Sequence, residues 1–395
     1  MRKAANGRVK TPVYFDHHAT TPVDGRVLEA MLPYLAGHFG NPASRSHSFG
    51  WAAEKAVERA RARVAELAGA SPREIVFTSG ATESNNLALK GAWETHRSRG
   101  NHIVTVATEH RAVLDPVRRL ERTGAEVAVL PVRPDGLLDL DSLRRAIRPE
   151  TVLVSVMCAN NETGVIQPVC EIGAICRENR VLFHTDAAQG FGKVPLRVAE
   201  AGIDLMSVTA HKMYGPKGAG ALYIRRGVAV APQIDGGGHE RGFRSGTLNV
   251  PAIVGLGEAA AICASEMEDE TTRTRALRDR LLARVQAGLE GVLVNGSMDR
   301  RLPANLSLAF AGVNADALLT TLPDIALSTG SACSSASPEP SHVLRALGLN
   351  EAQARSSVRF GLGRTTTEEE VDYVADRVID AVRVLRKAAP AAGVY

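Results

Sequence analysis

With 395 residues, 45% of them hydrophobic and 23% charged, the chain has an ordinary globular composition and ample core for two or three domains. A formal net charge of +4 is small for this length and argues against nucleic-acid binding, and an aromatic content of 4% supplies few stacking platforms for single strands. No apolar run reads as a bilayer span and no signal-peptide core lies near the N-terminus, so a cytoplasmic protein without membrane contact is expected.

From about residue 51 to 225, short apolar runs alternate with helical patterns. Strands are predicted at 75–78, 103–107, 127–130, 152–157, 181–185, 205–209 and 221–224. A helix is predicted over 51–68, where Ala53, Val57, Ala60, Val64 and Leu67 recur at helical spacing. Such alternation implies a mainly parallel seven-stranded sheet with helices on both faces. One long helix is then predicted over 251–289. Short strands at 292–294, 305–310 and 357–360, mixed with helices and closed by a helix over 367–387, suggest a smaller α+β domain. The expected division is 16–262 for the large domain, with 1–15 and 263–395 forming the small one.

The five cysteines contain no C-x-x-C pair, so neither a metal cluster nor a thioredoxin-like motif is indicated, and the sparse odd count fits a reducing compartment. Cys158, Cys170, Cys176 and Cys263 sit in apolar patterns and are expected in the core. Cys333 lies in Ser331-Ala332-Cys333-Ser334-Ser335, a small-residue segment with almost nothing to bury.

The most informative stretch is Ser207-Val208-Thr209-Ala210-His211-Lys212-Met213-Tyr214-Gly215-Pro216-Lys217-Gly218. An amine at the end of a buried strand, against a stiff turn, suits a Schiff base, because a desolvated Lys keeps a nucleophilic neutral fraction. Alone it would read as an ordinary loop lysine; its company decides. Thr78-Ser79-Gly80-Ala81-Thr82-Glu83 comes after a strand and opens a helix, where backbone N–H groups and hydroxyls make a phosphate site or merely an N-cap. Asp186 stands at a strand's carboxyl edge, where it could pair with a pyridinium nitrogen or cap a helix. His110 and Asn161 lie just past two further strand ends. Gly255-Leu256-Gly257 lacks the strand–turn–helix context of a dinucleotide site and is set aside. If all these strands share one sheet, phosphate, ring nitrogen, ring face and aldehyde of pyridoxal 5'-phosphate (PLP) are each provided for.

On these residues the chain resembles the cysteine desulfurases, PLP enzymes of aminotransferase class V and fold type I. The likeness runs in family order from Tyr14 to the last helix, through Thr108-Glu109-His110, Asn160-Asn161-Glu162-Thr163-Gly164, Arg244-Ser245-Gly246-Thr247 and Ser356-Ser357-Val358-Arg359. The long segment before Val343 is similar to the long-loop group, which holds the housekeeping and nitrogen-fixation types, and unlike the short-loop group that includes selenocysteine lyases.

The resemblance implies that Lys212 holds PLP and acts as base, Asp186 meets the ring nitrogen, Gln189 meets the ring hydroxyl and His110 stacks on the ring. Ala81, Thr82, Thr209 and His211 would hold the phosphate, with Thr247 reaching in from the second subunit of a homodimer. Asn161 and Arg359 would bind the substrate, Arg359 by its carboxylate, and Cys333 would accept sulfur as a persulfide. L-cysteine would become L-alanine, with the sulfur passed to an acceptor protein, an iron–sulfur scaffold or a thiolation relay. No metal is implied. One departure is plain: Asp16-His17-His18-Ala19-Thr20 stands where the family often has Asp-Asn-Asn-Ala-Thr, which leaves the role of this region open. The rival readings are another class-V aminotransferase or cysteine β-lyase with Cys333 incidental, a non-catalytic scaffold that has kept the fold, and a nucleotide-binding enzyme.

Overall fold

The computed structural model describes residues 9–329 and 340–388. Its strands are β1 (Val13–Tyr14), β2 (Ile75–Thr78), β3 (His102–Val106), β4 (Glu126–Leu130), β5 (Thr151–Ser155), β6 (Leu182–Asp186), β7 (Leu205–Thr209), β8 (Gly220–Ile224), β9 (Val292–Val294), β10 (Asn305–Phe310), β11 (Ile325–Ala326) and β12 (Ser357–Gly361). Seven of them form one sheet in the order β2-β8-β7-β6-β5-β3-β4, parallel except for β8, which runs antiparallel to both neighbours. The expected seven strands therefore share one sheet, their bounds shifted by at most two residues.

The sheet is apolar on both faces because helices cover both, and successive side chains sort accordingly. Phe77, Val104, Val154, Phe183 and Met206 enter one core with the helix Ser48–Ala68 and the first half of the long helix Val250–Gly288. Their chain neighbours Val76, Ile103, Leu153 and Leu205 enter the other, beneath the helices Ala81–His96 and Arg111–Glu121. The first half of the long helix is apolar enough to resemble a membrane span, which the sequence reading does not foresee. Its apolar side chains, from Val250 to Cys263, are buried in the protein core instead. Gly255 and Gly257 serve that packing: a Cβ on Gly257 would meet the Ala60 backbone at 2.5 Å. This accounts for the glycine pair without a dinucleotide.

A third core gathers Val13 and Phe15 with the second half of the long helix, the antiparallel sheet β12-β10-β9 and the helix Glu368–Ala388. One cysteine expectation is corrected. Cys158, Cys176 and Cys263 are buried, whereas Cys170 is exposed, because the helix Val169–Glu178 turns Val169, Ile172 and Cys176 inward and Cys170 lies off that stripe.

Candidate functional site

Parallel strands place all their carboxyl ends at one edge, and a cavity of about 620 Å³ opens there. The segments leaving β2, β3, β5, β6 and β7 supply its walls: Gly80 to Glu83, His110 to Ala112, Asn161, Asp186 to Gln189, and Thr209 to Lys212. Ala81, Thr82, His110, Asn161, Asp186, Gln189, Thr209, His211 and Lys212, scattered over about 130 positions, thus line one space. Of the expected cofactor residues only Thr247 does not line it; that residue is exposed. Arg359 also stays behind the wall. Cys333 lies outside the described residues.

Lys212 ends a three-residue helix, Ala210–Lys212, directly after β7. Its Nζ donates to the backbone oxygens of His18 at 2.5 Å and Ala19 at 2.6 Å. The segment that provides them is stitched to the lysine turn. Thr21 N and Oγ1 donate to His211 O at 2.9 and 3.0 Å, and Tyr214 N donates to Thr21 Oγ1 at 2.8 Å. Tyr214 itself holds a positive φ of 63°, the turn that brings the chain back to this partner. Sequence reasoning missed this cradle, for a run of backbone carbonyls carries no residue-type signal.

Asp186 is buried, with Oδ1 accepting from Ala188 N at 2.9 Å and Oδ2 from Asn85 Nδ2 at 2.7 Å. Asn85 is itself fully buried, and its own Oδ1 has no hydrogen-bond partner among the described residues. It was missed as a site residue. The available signal was its place one turn after Thr82 on the helix that starts at Ala81.

That helix start has Gly80 as N-cap, at φ 151°, with no side chain closing it among the described residues. Its first N–H groups lack intrahelical partners and, beside Thr82 and Thr209 at the cavity wall, suit an anion. Gly220 makes the turn possible, since a Cβ there would lie 2.5 Å from Gly80 Cα. His110 caps the helix Arg111–Glu121, its Nδ1 accepting from Ala112 N at 3.0 Å, so a neutral ring carries its proton on Nε2. Burial pushes the His211 pKa down to about 4, helped by Lys212, and leaves that ring neutral.

Two buried carboxyls stand behind the lining. Glu109 Oε1 accepts from Met157 N at 2.5 Å while Oε2 has no partner among the described residues, and burial, with Asp186 nearby, drives its pKa well above the usual carboxylate range. Glu162 accepts from Ser341 Oγ at 2.5 Å, and burial pushes its pKa up to about 7. Arg359 Nη1 donates to Asn161 O at 2.8 Å and Nη2 to Asp16 Oδ1 at 2.7 Å, while Nε is without a partner among the described residues. The expected carboxylate fork is therefore partly engaged inside the protein.

A phosphorylated pyridine aldehyde fits this donor set. The open helix start would suit its phosphate, the Asp186 carboxylate its ring N–H and the Lys212 amine its aldehyde. Among the described residues no group of three or more His, Cys, Asp or Glu is placed to hold a metal.

The aminotransferase class-V family model matches residues 13–374. A cysteine desulfurase IscS from Anaeromyxobacter sp. (strain Fw109-5) is 59% identical over 97% of this chain and 95% of its own length. Among solved structures, a NifS-like protein is 38% identical with a TM-score of 0.88, covering 94% of this chain and 99% of its own. SspA in complex with cysteine is 39% identical with a TM-score of 0.80 over 89% and 98%. A match over most of the chain and identities this high leave one conclusion: the chain belongs to the class-V aminotransferase family.

Proposed function

We propose that the protein is a PLP-dependent cysteine desulfurase that takes sulfur from L-cysteine, releases L-alanine and holds the sulfur as a persulfide on Cys333. The observation that carries this reading is the joint placement of Lys212, Asp186 and the open helix start in one cavity of a chain 59% identical to a cysteine desulfurase.

Bound PLP supplies an electron sink that makes the substrate's Cα–H acidic and weakens its Cβ–S bond. Asp186, pinned by Asn85 and Ala188 N, would pair with the ring nitrogen and favour its protonated form. Ala81, Thr82, Thr209 and His211 would hold the phosphate, Gln189 the ring hydroxyl and His110 the ring itself. Lys212 takes the Cα proton on Nζ. The carbonyls of His18 and Ala19 then receive the ammonium so formed. Asn161 and Arg359 orient the substrate, whose carboxylate meets the guanidinium at N–H groups that Asp16 and Asn161 O leave open. The Cys333 thiolate attacks the substrate sulfur. A Cys333 S–S bond forms, the Cβ–S bond breaks, and its electron pair stays with the three-carbon fragment, which takes up protons and leaves as alanine.

The described residues on either side of the Cys333 segment support this. Ser328 O accepts from Arg359 N at 2.8 Å, while Ser341 and His342 are tied to Glu162 and to Glu109 O. Both stems of its segment therefore start beside the cavity wall.

The reading includes two units, 16–262 and 1–15 with 263–395, supported by the separate core around β10 and β12. It also includes a homodimer. Thr247 lies outside its own cavity, yet Arg244 nearby pairs with the wall residue Glu83 at 2.8 Å, and Leu32, Leu35, Phe39, Phe49 and Trp51 are exposed, with the Phe39 and Phe49 rings 5.4 Å apart. A second copy covers such a patch under two-fold symmetry. The acceptor is a sulfur-accepting protein, and cytoplasmic placement belongs to the same reading.

The deciding experiment gives L-cysteine to the purified protein and to Cys333→Ser. Alanine and a protein persulfide from the first, with neither from the second in the absence of added thiol, support the assignment. Alanine and sulfide from the serine variant at the native rate would move the protein to the β-lyase reading. Sedimentation of a fully active monomer would remove the dimer.

A further inference from the structure

Of the two histidines that replace the family's usual pair, His18 is the one built into the site. It is 1% exposed, and its backbone and ring are both engaged with groups that face the cavity. Its backbone oxygen accepts from Lys212 Nζ at 2.5 Å and from Gln189 Nε2 at 2.9 Å. Its ring Nδ1 stands 3.1 Å from Gln189 Oε1. Lys193 Nζ donates to that same oxygen at 3.3 Å.

These contacts fix the proton on the ring. A backbone oxygen can only accept, so the Gln189 amide must turn its nitrogen to His18 O and its oxygen to the ring. Against that oxygen, Nδ1 can bond only as a donor. Nε2 also faces an oxygen, Ala304 O at 3.3 Å, but a neutral ring holds one proton, and the shorter contact, to Gln189 Oε1 at 3.1 Å, takes it. Burial, with the cations Lys193, Arg359 and Lys212 around it, keeps the ring neutral. The geometry also explains why the ring is held so firmly: Gly361 lies against it, and a Cβ there would come within 3.0 Å of His18 Cδ2.

We propose that His18 is a positioning residue of the cofactor site, its Nδ1–H tautomer orienting the Gln189 carboxamide while its carbonyl receives the Lys212 amine, so that one residue sets the place of two cavity-facing groups. The inference rests on the reading that PLP occupies this cavity. A pairing of this kind makes the side chain at position 18 a determinant of cofactor geometry through Gln189, without touching the cofactor itself.

The test compares the full-length wild type, His18→Leu and His18→Asn. Asparagine keeps an N–H near the place of Nδ1, and leucine removes it. PLP affinity is measured on the apoproteins, together with the pH titration of the visible band of the bound cofactor. Leucine should weaken PLP binding roughly tenfold, the scale of one lost buried hydrogen bond, and move the band's titration, while asparagine should stay within about threefold of wild type. Wild-type affinity and an unmoved band in His18→Leu would overturn the inference. Equal losses in both variants would overturn it too, since packing alone would then explain them. Failure of the wild type itself to bind PLP would instead sink the underlying reading. If the leucine variant does not fold, nitrogen NMR of the wild-type apoprotein decides: a proton on Nδ1 supports the assignment, and a proton on Nε2 with bare Nδ1 refutes it.

Discussion

The floor of the cavity and its rim on the side of β12 hold their charged groups in different ways. On the floor, backbone geometry does the holding. Asp186 ends β6, Lys212 lies in the turn after β7, and each lines the cavity and is steadied by neutral donors or acceptors. On the rim, long-range side-chain partners do it. Arg359 on β12 is paired with the carboxylate of Asp16, and Glu162 accepts from the hydroxyl of Ser341. A floor group thus faces the cavity with its functional atoms, whereas Arg359 meets a substrate while still tied to Asp16 and Asn161 O. Variants of the two regions should fail differently.

The largest effect belongs to the floor. Lys212→Ala should abolish alanine formation, a loss of several orders of magnitude, because the nitrogen that takes the Cα proton is gone. The fold should survive, since the side chain faces the cavity rather than the core. A melting temperature close to wild type together with no turnover is the expected record; normal turnover would end the assignment. Asp186→Ala comes next, with a rate loss of at least about a hundredfold, or roughly 2.7 kcal/mol of barrier. Asn85→Ala should act in the same direction by about tenfold, near the 1.4 kcal/mol of one charge-assisted bond. A visible band that titrates as in wild type in both variants would break the comparison.

Residue patterns disclosed the floor, and the resemblance named Arg359, but the pairings that hold the rim stayed hidden, for physical reasons. Strand ends can be read from apolar runs, and a parallel sheet then dictates that the segments leaving those runs meet at one edge. His110, Asn161, Asp186 and Lys212 were legible on that logic. Local periodicity also gave β2, β7, β9 and β10 to the residue. The stitching of Thr21 to His211, the Asp16–Arg359 pair across 343 positions and the Glu162–Ser341 bond are long-range side-chain matches. Nothing local marks them. Short elements failed for the same reason: β1 and β11 have two residues each and exist because they pair with one another. Cys170 shows the converse error, an apolar-looking neighbourhood whose helix phase points outward.

On the rim, Asp16→Asn should act on binding more than on turnover. The pair is buried on the Arg359 side, so the change removes the countercharge of a guanidinium while leaving one acceptor oxygen in place. KM for cysteine should shift several-fold with kcat within about threefold, and the cofactor band should not move. A fall in kcat equal to that of Asp186→Ala would mean that the rim acts on the chemistry directly.

The smallest effect, and the sharpest test of how the rim is held, is the pH dependence of Glu162. Burial lifts its pKa to about 7, against an ordinary value of 4.5, although the Ser341 bond and the Arg359 charge both pull it down. A carboxyl whose folded-state pKa is raised favours folding while it is protonated in both states. That contribution is complete below about 4.5 and is lost as the unfolded chain ionises and the folded protein is carried through pH 7. Wild type should therefore lose stability between pH 5 and 7 from this group, and Glu162→Gln, which keeps an acceptor for Ser341 without a titrating proton, should lose less over the same interval. The measurement is the melting temperature of both proteins across that range. The difference between the curves should grow with pH and level off above about 7.5, because the folded-state carboxyl is then ionised as well. Parallel curves would mean that Glu162 is already a carboxylate in the folded protein at pH 5, stabilised by Arg359, and the contrast between a neutral-partnered floor and a charge-paired rim would then extend one residue further than the Asp16 pair.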